Sequence, residues 1–480
     1  MNAVFKVIYN EALKVFQAVN EMTRSRGKRA SSGFGGGQPI DFSVNNINDN
    51  LSGVAAALLA AGFLGGMPAS VLAEDLVMSD NYTVDSNKTV DSITASDNKK
   101  TLTINSGYTL TISQPDYVKD SSIASAIKGT GTLSLENVKL TVTDNSNSRF
   151  NGSIILSGNT TVYAEHLTAF TGALNQKSSA GRIEVGENSK FIGGSGNIEE
   201  VRQEVYAQLS GSGRIELTEN ARSRISLMNA KNDFHGFFSL TNGSLDWSDG
   251  AADFFRDTET EFANVYLSAT SDVTFKSLVM TGKSYISLSS NSTLALAGDK
   301  HLNLSDETNV VGTGTVDAFL TGDGSLIIGN GRYEAAVTLS ATKGTHSYGG
   351  TITVNPQSTL TIAGAIKGTS GEINVYGLLD MTGDYSVSEG RINIINGGLA
   401  NFGGELNAGY LNVDGTLYLF GNARTEVVAG SGIININTDK TLTISPEGKG
   451  DLVISNPFTG GGTLNIDRPE AGKELRRNNF

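Results

Sequence analysis

The sequence predicts an all-β protein, a right-handed parallel β-helix solenoid with an N-terminal helical signal region. Three observations lead to this prediction: short runs with apolar residues at alternate positions, a regular recurrence of those runs, and a turn-rich composition with 57 Gly, seven Pro and no Cys. Alternation turns one row of side chains inward, and a repeat of about twenty residues buries that row only by stacking on its neighbours. The right-handed winding is the general expectation for parallel crossovers.

The repeat is clearest between Thr351 and Asp467, where six aliphatic residues recur at steps of 21, 19, 19, 23 and 19 residues. We expect these side chains to stack as one inward ladder, with Asn and Thr facing water. An antiparallel sandwich or a propeller also has short alternating strands, but near-regular spacing with few aromatic residues favours stacked columns. The predicted ladder consists of Ile352, Ile373, Ile392, Leu411, Ile434 and Val453.

A second recurring motif is an aromatic residue followed two positions later by Gly, just before a strand. We expect each ring to stack on its counterpart in the next coil while the Gly takes a positive φ at the corner. The six pairs are Phe150 and Gly152, Phe170 and Gly172, Phe234 and Gly236, Tyr348 and Gly350, Phe402 and Gly404, and Phe458 and Gly460.

The N-terminus differs in texture from the rest of the chain. Apolar residues from Val4 to Val19 are spaced by three or four, which predicts a helix, and a basic cluster follows. The uncharged run 51–64 and the small residues before Ala73 are typical of a Sec signal peptide, so we predict cleavage between Ala73 and Glu74 by way of the Sec machinery. The run is too short to span a bilayer comfortably.

The stretch from Val4 to Lys28 resembles the extended signal peptide region of type V secretion proteins in Gram-negative bacteria, whose pattern is K-V-I-W-N, then A-V-S-E, then K-S-x-G-K. Here Tyr9 stands where the family has Trp, and Asn20 where it has Ser. The aromatic-Gly motif is similar to the repeats of AIDA-type and pertactin-type autotransporter passengers. The resemblance implies an outer-membrane translocator barrel as partner. Since only 468–480 follows Asp467, we expect this barrel to be absent from the chain, as in a passenger fragment or truncated product.

The predicted organisation has five parts. These are an extended signal peptide region (1–32), the remaining signal peptide (33–73), an irregular N-terminal cap (74–98), the β-helix passenger (99–467) and a charged tail (468–480). Within the passenger, the charged section 175–208 breaks the rhythm. We expect it to be an insertion on one flank, with 198–208 helical.

Charge and residue types exclude several functions. The chain has a net charge of −13, and after residue 73 it has 30 basic against 45 acidic side chains, which argues against nucleic acid as a partner. Without Cys, no thiolate metal site or thiol nucleophile exists. The four His residues have no partner at ligand spacing, so solvated loop positions are expected and neither metal nor cofactor is predicted. They are His166, His235, His301 and His346.

Four other segments contain residue types that occur in functional sites. Thr321–Ser325 lacks the order of a serine-protease loop and predicts a tight turn, and the glycines at 460–462 lack the Asp of a calcium repeat. Gly33–Gly37 is typical of a linker. Asp246, Asp249 and Asp253 beside Trp247 form the best acidic cluster for a glycosidase-type site, against the alternative of an exposed acidic loop.

Two functional hypotheses follow. The first is a secreted or surface-exposed adhesin or self-association module, not an enzyme, that binds a host surface glycan, a host protein or a like molecule. It would pass the inner membrane and the periplasm before reaching the cell surface. The second is a protease or polysaccharide-degrading enzyme on the same scaffold. A two-partner exoprotein is disfavoured because no N-P-N-G/L motif follows the signal, and a trimeric adhesin because heptads are absent.

Overall fold

The computed structural model describes residues 5–10, 15–20, 74–114, 119–143, 149–164, 181–194, 202–298, 301–340, 344–446 and 452–467. Two compact units divide the chain, Met1–Val71 and Leu72–Phe480. Ala73, Phe170, Gly172, His166, 33–37 and the tail lie outside the described residues, and Glu74 is exposed at the start of the second unit.

The first unit contains two strands where the sequence predicted a helix. Phe5–Asn10 and Val15–Asn20 pair antiparallel, with Phe5 opposite Asn20 and Asn10 opposite Val15. The helical prediction is wrong for these residues. Both strands are rich in Val, Ile, Phe and Tyr, which favour extended backbone, and the spacing by three or four did not outweigh that preference.

The second unit is a three-sided parallel β-solenoid, as the repeat predicted. Strands of successive rungs pair in parallel on each side, so every rung contributes about three short strands. These pairings confirm that the strands of successive rungs are parallel, whereas the right-handed winding stays a prediction.

Side 1 is the longest continuous sheet, in which eighteen successive parallel pairings join nineteen strands. Its strands are Leu76–Val77, Ile93–Ala95, Asp120–Ile123, Lys139–Val142, Thr161–Ala164, Lys190–Gly194, Arg214–Thr218, Phe237–Thr241, Glu259–Ala263, Ser277–Thr281, His301–Leu304, Phe319–Gly322, Thr345–Tyr348, Ala365–Gly368, the first parts of Tyr385–Ile394, Leu406–Val413 and Ala423–Ala429, then Thr441–Ile444 and Thr463–Ile466.

Side 2 follows side 1 in each rung. Its strands are Tyr82–Val84, Thr101–Ile104, Ala126–Gly129, Arg149–Phe150, Arg202–Val205, Arg224–Leu227, Ser244–Trp247, Tyr266–Ala269, the first parts of Lys283–Leu296 and Glu307–Asp317, then Ser325–Ile328, Thr351–Val354, Glu372–Val375 and the second parts of Tyr385–Ile394, Leu406–Val413 and Ala423–Ala429.

Side 3 completes each rung, and in one rung the 3₁₀ helix Asp249–Arg256 occupies the place of its strand in the chain order. Its strands are Lys88–Val90, Thr109–Ser113, Thr132–Glu136, Ser153–Ser157, Arg182–Val185, Gln208–Gly211, Asp233–Phe234, Val273–Phe275, the second parts of Lys283–Leu296 and Glu307–Asp317, then Ala335–Leu339, Thr359–Ile362, Leu378–Met381, Leu399–Phe402, Thr416–Leu419, Ile433–Ile436 and Phe458–Gly460.

Alternation places aliphatic side chains inside and polar ones outside. In Thr351–Val354 and Thr359–Ile362, for example, the second and fourth residues are buried while the Thr residues are partly exposed. Aligned strands stack the inward residues into columns that run along the solenoid. The apolar core is therefore continuous through all the described rungs, and each rung depends on the two that cover it.

The structure divides the predicted ladder between two columns. On side 2, Ile352, Ile373, Ile392 and Leu411 are register partners in successive rungs. Leu411 then pairs with Val428, because the strand that contains Ile434 belongs to side 3 and stacks on Leu417. A constant step cannot distinguish two sides of the same rung, since both have the same pattern.

Val453 does not belong to a column, so its assignment to the ladder is wrong. Its side chain is 76% exposed, and Phe458 is the register partner of Ile434 instead. Leu452 and Ile454 pack against the core. The inward positions of this segment are thus one residue out of phase with the predicted ones, and such a shift places the predicted apolar face in solvent.

Three of the six aromatic-Gly pairs share one arrangement at three different corners. Phe150, Phe234 and Tyr348 are buried, and each is the register partner of a Gly in the rung below rather than of another ring. Those lower residues begin a Gly-x-Gly sequence, and the aromatic-x-Gly lies directly on it. The stacked pairs are Phe150-x-Gly152 on Gly129-x-Gly131, Phe234-x-Gly236 on Gly211-x-Gly213, and Tyr348-x-Gly350 on Gly322-x-Gly324.

The positive φ therefore lies in the lower rung, which corrects the predicted role of the motif's own Gly. Gly322 has a φ of 98°, whereas Gly350 is not among the positive-φ residues. A Cβ on Gly350 would lie 2.0 Å from the Gly324 oxygen and 2.7 Å from the Tyr348 hydroxyl. Gly is needed at this position because the aromatic side chain folds back over it and the lower backbone closes against it.

The remaining described pairs differ. Phe402 stacks between Met381 and Leu419 in its column, with Gly404 against the Gly383 backbone. Gly460 does have a positive φ, of 97°, and is the register partner of Ile436. Sequence similarity of the short motif thus covers three distinct local arrangements.

Two further predictions about organisation are wrong in the described residues. The segment 74–98 is not irregular, because its four strands, from Leu76–Val77 to Ile93–Ala95, pair in parallel with later rungs. Within the segment 198–208, the described residues 202–208 are not helical, since Arg202–Val205 pairs with Arg224–Leu227. Polar, charged outward positions obscured the inward alternation in both segments.

Candidate functional site

In the acidic cluster around Trp247, Asp246 and Asp253 do not converge on one site. Asp246 is nearly buried and forms an ion pair with Arg224 of the preceding rung, and Asp253 pairs with Arg256 at 2.5 Å on the surface. Trp247 is buried, with its ring 4.9 Å from that of Phe255. A glycosidase needs two carboxylates that face one substrate, and Asp246 and Asp253 do not form such a pair. The side chain of Asp249 lies outside the described part of the structure.

The residues beside that cluster form an aromatic core instead. Phe255 on the 3₁₀ helix is fully buried, and its ring centroid lies 4.6 Å from that of Phe275 and 5.1 Å from that of Phe254. Phe254 in turn stacks on Phe234 at 5.8 Å. Large rings fill the interior where the helix interrupts side 3, so this region is structural.

The histidines divide into exposed and buried positions. His235 is exposed and lies 2.9 Å from Asp233, and His301 is exposed with its ring 5.7 Å from that of Phe319. His346 contradicts the expectation of a solvated loop, because it is fully buried in the strand Thr345–Tyr348. It occupies an inward position of side 1, beside Tyr348.

Burial determines the protonation of His346. The backbone N–H of Leu320 donates to its Nδ1 at 3.0 Å, and Nε2 has no hydrogen-bond partner within the described structure. Burial lowers the pKa of His346 to about 4. The imidazole is therefore neutral at physiological pH, and its Nδ1 acts as an acceptor.

Acid should destabilise the rung that contains His346. In the unfolded chain this His takes up a proton near its ordinary pKa of 6.5, whereas in the folded chain it resists protonation down to about pH 4. The contribution of His346 to the free energy of unfolding is therefore complete above pH 6.5 and is lost as the pH falls to about 4. The loss over this pH range corresponds to about 3 kcal/mol. His346→Asn, which retains an acceptor but does not titrate, should show a weaker pH dependence of the free energy of unfolding by that amount. Equal slopes for wild type and His346→Asn would contradict the assignment.

The loop Thr321–Ser325 is a turn, as predicted. Gly322 lies under Tyr348, whose hydroxyl donates to the Gly324 oxygen at 2.5 Å, and burial raises the Tyr348 pKa. Ser325 begins the next strand. The loop is thus part of the corner packing.

Within the described ranges, no group of three or more His, Asp or Glu side chains is arranged to hold a metal ion. The helical content of those same ranges includes no segment with the length and hydropathy to cross a membrane.

The outward surface of the C-terminal rungs carries the strongest candidate for molecular contact. On side 2, Asn374, Asn393 and Asn412 are register partners, and the Asn393 amide donates to the Asn374 Oδ1 at 2.8 Å and to Glu372 at 2.7 Å. The Arg391 guanidinium lies 5.3 Å from the Tyr410 ring centroid. Sequence reasoning anticipated the Asn row from its alternation with the aliphatic column.

Exposed aromatic rings accompany this polar row. Tyr376 is 40% exposed and Phe420 is 46% exposed, and the Phe420 ring stacks on Tyr418 at 6.2 Å. Hydrogen-bonding amides next to flat apolar rings can contact both the hydroxyl groups and the C–H faces of a polar ligand. Tyr376 lies at the end of side 2, whereas Phe420 lies at the end of side 3 two rungs later, so the exposed rings are distributed over the C-terminal rungs.

Comparison with known proteins gives one positive result. The family described as Extended Signal Peptide of Type V secretion system matches residues 1–42. No curated protein and no solved structure matches the chain.

The matched region has direct consequences for export. It supports export across the inner membrane by the Sec pathway in a type V secretion system, with an outer-membrane translocator as partner. The second unit is a parallel β-solenoid. The extended signal peptide and the β-solenoid together fit an autotransporter passenger of type V secretion.

Proposed function

We propose that the solenoid is an adhesin or self-association module that acts at the cell surface through the outward faces of its C-terminal rungs, and that it is not an enzyme. The observation that supports this most is the row of Asn374, Asn393 and Asn412 on side 2, together with the exposed rings of Tyr376 at the end of side 2 and Phe420 at the end of side 3. Rows of amides at a rung spacing of about 4.8 Å offer repeated hydrogen bonds to a glycan or a second copy. A rigid stack holds these groups in place without the entropic cost of ordering a loop.

Surface display tests the proposal. The chain, supplied with a translocator barrel, should cause cell aggregation or attachment to host cells or matrix, whereas the barrel alone should cause neither. Absence of both from a verified displayed chain would contradict the proposal. Purified chain should leave casein and pectin-type polymers intact, and hydrolysis that a single acidic or Ser substitution abolishes would favour the enzyme hypothesis.

Aromatic substitutions localise the contact. Tyr376→Ser with Phe420→Ser should reduce aggregation or attachment about tenfold, because each exposed ring contributes on the order of 0.5–1 kcal/mol to a partly desolvated contact. The matched control is Tyr108→Ser with Tyr163→Ser, two rings of 39% exposure on N-terminal rungs. Equal loss in both double variants would argue against a C-terminal contact surface.

A further inference from the structure

A cleft of about 290 Å³ lies at the corner where side 1 turns into side 2 in the last rungs. The bent strands Tyr385–Ile394, Leu406–Val413 and Ala423–Ala429 pass continuously from side 1 to side 2, so these three rungs have no loop at this corner. Its lining consists of Ser388, Asn407, Ala408, Arg424, Thr425, Glu426, Ser445, Pro446 and Asp467. We name this the corner cleft.

Register explains why these side chains meet. Asn407 and Arg424 are partners on adjacent rungs and point outward from side 1. Glu426, Ser445 and Asp467 follow the last side 1 residue of their respective rungs. Five consecutive rungs therefore contribute to one concave surface, which no short sequence motif could reveal.

The polar groups of the cleft have unused hydrogen-bonding capacity. Arg424, Glu426 and Asp467 form no ion pair with one another or with any other side chain in the described ranges. The Ser445 Oγ is shielded from solvent and has no hydrogen-bond partner there. Thr425 contrasts with them, since its hydroxyl is engaged with the Gly409 and Val427 oxygens and holds the corner in shape.

The chemistry of this lining matches a small polyhydroxyl ligand. A guanidinium and an amide donate, two carboxylates accept, and hydroxyls do both, which suits vicinal hydroxyl groups. Among the described residues of the lining, one Arg against Glu426 and Asp467 gives a net negative charge, which disfavours an anionic sugar. The volume is at the lower end for ligand sites, about that of a single sugar ring.

We propose that the corner cleft binds one neutral or amino sugar unit of a glycan. This deepens the adhesin function and rests on it, by naming the class of ligand and the residues that contact it. Arg424, Glu426 and Asn407 supply the directional hydrogen bonds.

Saturation-transfer NMR on the purified full chain tests the proposal with galactose, glucose and N-acetylglucosamine as probes and N-acetylneuraminic acid as the anionic comparison. At least one of the first three should bind and N-acetylneuraminic acid should bind more weakly. Arg424→Ala and Glu426→Gln should each weaken that binding about tenfold, as loss of a charge-assisted hydrogen bond does. Arg332→Ala is the matched control, because Arg332 is exposed, does not line the cleft and lies outside the Asn row.

Both cleft residues lie at the surface, so circular dichroism should show the fold unchanged in the variants. Binding by none of the neutral or amino sugars, a preference for N-acetylneuraminic acid, or equal weakening in Arg332→Ala would overturn the proposal. The two proposals fail separately. Sugar binding without cell attachment contradicts the adhesin function, whereas attachment that persists in Arg424→Ala without sugar binding contradicts only the cleft.

Discussion

Gly350→Ala is expected to destabilise the solenoid strongly, whereas Gly349→Ala is not. A Cβ at position 350 would lie 2.0 Å from the Gly324 oxygen and 2.7 Å from the Tyr348 hydroxyl, so either the rung spacing or the aromatic ring must shift. At position 349 the nearest atoms are 3.6 Å away, in ordinary contact. Overpacking of this kind lowers the free energy of unfolding by about 1–3 kcal/mol or more. Because the Cβ at position 350 would meet backbone, which is rigid, we expect a loss at the high end of this range.

Hydrogen exchange shows which rungs lose stability in Gly350→Ala. Amides that join the rungs at this corner, including the Thr351 N–H that donates to Gly324 at 3.0 Å, should lose protection in Gly350→Ala. Rungs far from the corner should keep theirs, because each rung contacts only its neighbours. If both alanine variants unfold like wild type, the close stacking of aromatic-x-Gly on Gly-x-Gly is incorrect.

Phe255→Ala should be the most damaging single truncation in the aromatic core. Phe255 is fully buried, and its ring lies 4.6 Å from Phe275 and 4.9 Å from Trp247. Removing a buried Phe costs about 3–5 kcal/mol, and the helix it belongs to has no strand pairing to hold it in place. Denaturant unfolding followed by the fluorescence of Trp247, the sole tryptophan, should show an earlier transition.

Phe420→Ala is the matched control for this truncation. Phe420 is 46% exposed and should change the free energy of unfolding by less than about 1 kcal/mol. A similar loss in both variants would show that the rings around the 3₁₀ helix do not form the core.

The sequence predicted the solenoid because its signal is periodic and redundant. Alternation in runs such as Thr351–Val354 and Thr359–Ile362 is repeated in most rungs, so single errors do not alter the architecture. Assigning residues to sides was less certain, as Ile434 and Val453 show, because sides 2 and 3 share the same alternation and only three-dimensional register separates them.

The candidate surfaces were only partly predictable. The Asn row follows from alternation, but the corner cleft depends on side chains from rungs up to about eighty residues apart, between Ser388 and Asp467. One missed signal was present in the sequence. Gly129, Gly211 and Gly322 each precede an aromatic-x-Gly by about one rung, and pairing the two motifs would have identified three corners.

The predictions of an N-terminal helix and of a solvated His346 are wrong for a common reason. Both predictions depend on the spacing and polarity of nearby residues alone. In the structure, strand pairing determines the conformation of Phe5–Asn10, and the position within a column determines the burial of His346 in Thr345–Tyr348. A residue inside a column is buried whatever its type, and its neighbours then set its protonation.

Engineered disulfides test the parallel one-rung register most directly, since the chain has no Cys of its own. Thr353 and Asn374 are register partners 21 residues apart, and parallel neighbours about 4.8 Å apart fall within the range that a disulfide spans. Thr353→Cys with Asn374→Cys should cross-link readily under mild oxidation, whereas Thr353→Cys with Asn393→Cys, two rungs apart, should not. Equal cross-linking of both pairs, or cross-linking of the second alone, would contradict the stacked solenoid.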